Sequence, residues 1–300
     1  MNAASLPLPD SRVSALFALD DATREMYMRL RAEERNRPLI AAMESSDVPP
    51  LADARGLRIV LVPGIFYEDY PETGADGAEL RRVADQAGVR FDIVPLKGTE
   101  GLDAAADIIE EWLLRLPADS RVLLFTLSKG SAEVRHALSR HKVSSPEYSR
   151  VHDAFRRVRA WVSISGSPFG SPQFELVLQR ALPRAVFTTL FWFKRWNMSG
   201  LRDVLRYRPS GPFVLPMHVQ FVQIAACPLQ VHLCDRRSKR FRKRLAAYGP
   251  NDGFSVLKDL VALPGSFYLV WGADHYLRGA FDLPGRLTRL IAFLARRATA

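Results

Sequence analysis

Cysteine is scarce in this 300-residue chain, with only Cys227 and Cys234 present. Two cysteines cannot build the disulfide framework that staples small secreted proteins, and their spacing fits no usual zinc pairing, so both are expected to be reduced and structural. Long apolar runs are also missing. The longest, residues 185–193, falls far short of the roughly 20 residues that a membrane-spanning helix needs. The opening stretch MNAASLPLPDSRVSALFALDDATREM has neither the basic leader nor the long apolar centre of a secretory signal, and a cytoplasmic protein is the default expectation. His-Glu-x-x-His and paired-cysteine patterns are absent too, so no metal site is expected.

The chain is long enough to bury a full core, and a hydrophobic fraction of 48% with a charged fraction of 25% suits a soluble globular protein. The net charge of +10 permits attraction to anionic surfaces or substrates. The arginines are scattered, however, and only residues 236–244 form a dense basic run, read here as a solvated helix face. Charge is the sole support for nucleic-acid binding, and without a recognition motif none is expected.

Residues 12–36 carry a patchy helical face of Val13, Leu16, Phe17, Tyr27 and Leu30, and residues 44–54 read as a linker because of their Ser, Asp and paired prolines. Residues 1–55 are thus an accessory segment, a structural brace in preference to a partner-binding arm. From Leu57 onward strands and helices alternate. Strands are expected at 58–62, 91–94, 122–125, 159–165, 219–226 and 267–271, with helices at 78–87, 102–116 and after Gly130, and a closing helix through Leu287, Leu290, Ile291 and Leu294. Such alternation implies an α/β fold with a mostly parallel sheet and helices on both faces, here filling residues 56–300.

The third strand ends in Thr126-Leu127-Ser128-Lys129-Gly130, and a helix follows. A serine on such a sharp turn projects its hydroxyl above the sheet, while the N–H of Lys129 can point at an oxyanion. Ser-Lys-Gly at this junction resembles the nucleophile elbow of the α/β-hydrolase superfamily, particularly its lipase-like and esterase-like serine hydrolases. Thr126 departs from the pattern. It stands where those enzymes usually have a glycine, whose small size relieves crowding beneath a strained serine.

A serine nucleophile needs a base. Of six histidines, His136 and His141 lie along the helix beyond the elbow, and His152, His218 and His232 lack a distinctive setting. His275 follows the last strand in Gly272-Ala273-Asp274-His275, on the rim where Ser128 emerges. The resembled family carries its base on this loop. The same resemblance favours Asp252, in Asn251-Asp252-Gly253, as the carboxylate that orients the histidine, in the family's order Ser128, Asp252, His275. Asp235 is the fallback; Asp274 is too close in sequence to His275. After the first strand comes Pro63-Gly64, and the resemblance implies a second oxyanion N–H from Ile65 or Phe66.

Residues 167–216 stand where the resembled fold hosts a lid. Within them Phe187, Leu190, Phe191, Trp192, Phe193 and Trp196 are expected to line an acyl pocket or its cover, with a packed helical cap or a peripheral membrane contact as the alternatives. Phe66, Phe191 and Trp192 are the substrate-binding candidates. The resemblance implies hydrolysis of a small-molecule carboxylic ester with an apolar acyl part, with no cofactor. An acyltransferase or thioesterase would use the same residues, and a catalytically silent scaffold is the reading that Thr126 favours. The Lys129 side chain is expected to be a solvated charge or to attract an anionic substrate.

Overall fold

Runs of β-branched and aliphatic residues at regular intervals produce one parallel six-stranded sheet in the computed structural model, which describes residues 11–47, 56–141, 146–179, 181–205, 208, 214–279 and 281–297. The strands are β1 (Leu57–Val62), β2 (Arg90–Ile93), β3 (Arg121–Leu127), β4 (Val158–Ile164), β5 (Gln220–Cys227) and β6 (Ser266–Trp271). Their spatial order is β2-β1-β3-β4-β5-β6, with each neighbouring pair parallel. The expected strands are all present, displaced by one or two residues at their ends.

Central strands covered on both faces must be apolar at every position, and β1 is fully buried along its length. Alternate residues feed separate cores. Ile59, Leu61, Leu123, Phe125 and Val162 pack with residues of α2 (Arg37–Glu44), α3 (Ala78–Gln86) and α12 (Leu283–Arg297). Val60, Val62, Val122, Leu124 and Trp161 pack with α4 (Leu102–Leu114), α5 (Gly130–Ser139) and α6 (Pro146–Phe155). Each large aliphatic side chain so buried contributes roughly 1.5–3 kcal/mol. Helix α4 stops short of the expected Leu116, because Pro117 disfavours helical backbone in the residue before it.

The N-terminal segment folds differently from the single helix expected over 12–36. Helix α1 (Ser11–Ala32) ends before a short 3-10 turn at Glu34–Asn36, and α2 restarts at Arg37 with a proline in its first turn. Buried Asn36 explains the break. Its Nδ2 donates to the Leu30 carbonyl at 2.7 Å and its Oδ1 accepts from the Phe267 N–H at 2.7 Å, tying the turn to β6. Leu39 and Met43 of α2 then enter the sheet core. Residues 48–54 of the expected linker lie outside the described residues.

The basic run forms α10 (Arg236–Arg244), and one member contradicts the expectation of a solvated face. Arg242 is fully buried, pairs with Asp20 of α1 at 2.7 Å and donates to Thr23 Oγ1 at 3.1 Å. This arginine anchors α1 on the sheet domain. Between β4 and β5 lie α7 (Pro172–Leu178), α8 (Ala181–Phe193) and α9 (Met198–Leu205). They are clasped to the loops after β1 and β2: Trp196 Nε1 donates to Asp69 Oδ2 at 2.8 Å, and the Asn197 N–H donates to Thr99 Oγ1 at 3.1 Å. Among the described residues no helix is long and apolar enough to cross a membrane. The loops following β1, β3, β4 and β6 emerge on one rim, as the all-parallel arrangement dictates.

Candidate active site

Ser128 sits between β3 and α5 with φ 47°, a left-handed conformation that β-carbon crowding disfavours. Surrounding contacts hold it there. Its N–H donates to the Ile164 carbonyl at 3.1 Å, and its carbonyl accepts from the Ser131 N–H at 3.2 Å and the Ser167 N–H at 3.1 Å. Gly130 allows the tight turn, since a β-carbon there would lie 2.6 Å from the Val62 carbonyl oxygen. Thr126, the departure from the usual glycine, is accommodated by small neighbours. Its hydroxyl lies 2.8 Å from Ser131 Oγ and accepts from Trp161 Nε1 at 3.0 Å, while Ser131 Oγ continues to Ser163 Oγ at 2.9 Å. A buried hydrogen-bonded chain therefore fills the space beneath the turn, which keeps its left-handed serine.

Ser128 Oγ lies 3.1 Å from Nε2 of His275, and His275 Nδ1 lies 2.9 Å from Asp252 Oδ2. The three residues that the sequence singled out thus form one connected line. Asp252 is buried, and its other oxygen, Oδ1, accepts from the N–H groups of Phe254 at 2.9 Å and Ser255 at 2.7 Å. Those bonds leave Oδ2 for the imidazole. The Phe254 ring covers His275 with centroids 4.7 Å apart. Asp235, the fallback, is engaged elsewhere: it caps α10 through the Ser238 N–H at 2.7 Å and meets Arg278 at 3.3 Å. Asp274 likewise binds Arg278 and the Tyr276 N–H.

No protein-family model matches this sequence, and no curated protein matches it either. Solved structures do. The metagenomic carboxyl esterase MGS0156 is 23% identical, with 85% of this chain and 79% of that chain covered at a TM-score of 0.53. Bacillus licheniformis lipase BlEst2 in its mature form is 16% identical, with 78% of this chain and 88% of that chain covered at a TM-score of 0.50. This chain has the α/β-hydrolase fold.

On this fold the rim encloses a cavity of about 470 Å³. Ser128, His275, Ile65 and Phe66 line it, together with Leu190 and Trp196 from the segment that carries α7–α9. Of five non-glycine residues with positive φ among the described residues, four, Phe66 (58°), Ser128 (47°), Ser165 (44°) and Leu277 (54°), belong to its wall, Arg195 being the fifth. Strained backbone is sustained only where the surroundings over-determine it, and here it gathers around one cavity.

The aromatic segment divides by helical periodicity, which corrects two of the substrate-binding candidates. Phe191 is fully buried behind the wall, 5.9 Å centroid to centroid from Phe66. Trp192 is 80% exposed on the outer face, as is its neighbour Phe193. One turn of helix cannot point four consecutive aromatic and aliphatic side chains the same way. The side chain of Phe187 lies outside the described residues, as do residues 206–207 and 209–213 of the α7–α9 segment.

Lys129 also departs from expectation, because its ammonium is buried along α5 in an ion pair with buried Glu133. Burial pushes the Glu133 carboxyl above the usual carboxylate range, opposed by the charge and hydrogen bond of Lys129. Lys129 is not among the residues that line the cavity. Glu133→Ala would strand a buried ammonium, and urea unfolding should show a loss of about 3–5 kcal/mol. Combining it with Lys129→Met should recover most of that loss.

Three of the other five histidines have hydrogen-bond partners away from Ser128: His136 with Asp103 at 2.7 Å, His218 with the Phe155 carbonyl at 3.0 Å and His232 with the Leu229 N–H at 3.0 Å. Sequence reasoning missed Phe254 on the imidazole, and Ser165 and Gln173 in the wall. Phe254 was within reach, being two residues from Asp252. Gln173 carried no signal, since a glutamine near a helix start fits any surface helix.

Proposed function

We propose that this α/β-hydrolase cleaves carboxylic esters through an acyl-enzyme on Ser128. The observation that carries the reading is the continuous line from the left-handed Ser128 through His275 to buried Asp252, at 3.1 and 2.9 Å. His275 Nε2 takes the hydroxyl proton as Ser128 Oγ attacks the ester carbonyl, and Asp252 stabilises the resulting imidazolium. The imidazolium then gives that proton to the leaving alkoxide. Water, deprotonated by the same nitrogen, releases the carboxylic acid and restores the serine.

The tetrahedral oxyanion is assigned to the N–H groups of Lys129 and Ile65. Among the described residues neither N–H meets an acceptor, and Lys129 stands at the start of α5, where the helix dipole favours negative charge. Phe66 is the alternative second donor: a β-carbon at position 98 would lie 2.6 Å from its nitrogen, and Gly98 leaves that amide room. Each such donor is worth roughly 3–4 kcal/mol in the transition state. The apolar wall from Leu80, Leu127, Ile164, Leu190 and Leu287 suits a hydrocarbon chain. The esterase and lipase among solved structures of this fold act on the same kind of bond.

Stopped-flow kinetics with p-nitrophenyl esters tests the scheme. A burst of one p-nitrophenolate per chain followed by slower turnover is expected, with free acid as the product even when an alcohol or thiol is added. Product appearing only as a transferred acyl group would replace hydrolysis with acyl transfer. The reading also places Phe66, rather than Phe191 or Trp192, against the substrate.

A further inference from the structure

Gln173 stands out in the cavity wall. Its side chain is 1% exposed, yet neither its Oε1 nor its Nε2 has a hydrogen-bond partner among the described residues. Ser165, in the same wall, is also buried, and its Oγ is unpaired too. Ser165 is close to the chemistry, because it directly follows Ile164, whose carbonyl accepts the Ser128 N–H, and Gln173 shares the cavity with Ser128.

The 165–173 segment is pinned to the loop that carries Asp252: Ser167 Oγ lies 2.8 Å from Ser255 Oγ, and Ser171 Oγ donates to the Phe254 carbonyl at 2.5 Å. Ser167 is also held by its N–H bond to the Ser128 carbonyl. A buried carboxamide without partners destabilises a fold, and a leucine of similar length would fill the same place without that penalty. Such a group is stabilised when a ligand brings the missing donor and acceptor.

We infer that Gln173 and Ser165 form a recognition point in the Ser128 cavity for a neutral hydrogen-bonding group, a hydroxyl or an amide, on the non-reacting part of the substrate. This rests on the ester-hydrolase reading and narrows its substrate from plain hydrocarbon esters to esters with such a group. The group is neutral because the amide and hydroxyl offer both donors and acceptors. A carboxylate would set like partial charges against Gln173 Oε1, and the arginine that lines the cavity, Arg237, is exposed to solvent with its guanidinium 5.3 Å from the Phe241 ring centre.

The test uses three matched pairs of esters of equal length: a hydroxylated acyl chain, an amide-bearing acyl chain and a hydroxylated alcohol, each beside its hydrocarbon counterpart. In the wild type, kcat/KM for at least one polar member should exceed that of its partner by about tenfold or more. Gln173→Leu should bring that ratio toward one and raise the melting temperature, whereas loss of a merely structural residue would lower both members of the pair alike. Ser165→Ala should reduce the same ratio.

Binding of the same esters to the Ser128→Ala chain, followed by calorimetry, should show the same preference without turnover. Ratios near one for all three pairs, or a ratio unchanged in both wall variants, would overturn the inference. Failure of the ester-hydrolase reading looks different: no turnover of any ester and no reactive Ser128, while calorimetry still reports whether the polar member binds more tightly.

Discussion

Ser128→Ala is expected to lower kcat for ester hydrolysis by roughly 10⁶-fold, leaving only the catalysis that binding and the oxyanion site supply. His275→Ala should cost nearly as much. On this reading the hydroxyl is inert without the base 3.1 Å away, and without the serine no acyl-enzyme forms for the base to help hydrolyse. Because the two act as a unit, the double variant should be no slower than the worse single one. Steady-state assays of the three variants, with thermal unfolding as the folding check, test this. Multiplying effects would mean that the two residues act separately.

Asp252→Asn is the second large effect, and the hydrogen bonds around the carboxylate determine its cause. Oδ1 accepts two backbone N–H groups, from Phe254 and Ser255, so the amide oxygen of an asparagine must occupy that side. Its NH₂ then faces His275 Nδ1, which must accept. The remaining proton is forced onto Nε2, toward Ser128, where an acceptor is needed. Geometry survives while the tautomer is wrong, and a loss in kcat of about 10⁴-fold is expected. Because both backbone bonds are kept, the melting temperature should change little. A fall in activity matched by unfolding would instead make Asp252 a structural residue.

Much of this arrangement is legible in the amino-acid sequence. β-strands buried on both faces announce themselves as continuous apolar runs, and a sharp turn with Ser-Lys-Gly after the third of them marks one rim position. A parallel sheet brings the loops carrying Ser128 and His275 to that rim, whereas the choice of Asp252 and the order Ser128, Asp252, His275 came from the resemblance to the α/β-hydrolase superfamily. Side-chain direction was harder to read. The 185–193 run is apolar throughout, and only the phase of α8 decides that Leu190 faces the cavity while Trp192 faces out. Likewise Lys129 and Arg242 look like ordinary surface charges until their partners, Glu133 and Asp20, are placed beside them. Asp20 is remote in sequence from Arg242, and no local pattern encodes their meeting. The break after Ala32 was hidden for the same reason, because Asn36 takes its role from β6.

Thr126 shows how a rule about one residue depends on its neighbours. A glycine is usual beneath a strained serine because space is short. Here Ser131 and Ser163 supply that space and bind the extra hydroxyl. The departure that favoured a silent scaffold thus has a local compensation, and Ser128 keeps its left-handed backbone.

The most direct measurement is reaction of the folded protein with a fluorophosphonate, followed by peptide mass spectrometry. An activated serine predicts one adduct per chain, on the peptide bearing Ser128, absent in Ser128→Ala and formed far more slowly in His275→Ala. A well-folded chain that stays unmodified, or that carries its adduct on another residue, would contradict the assignment of Ser128 as the nucleophile.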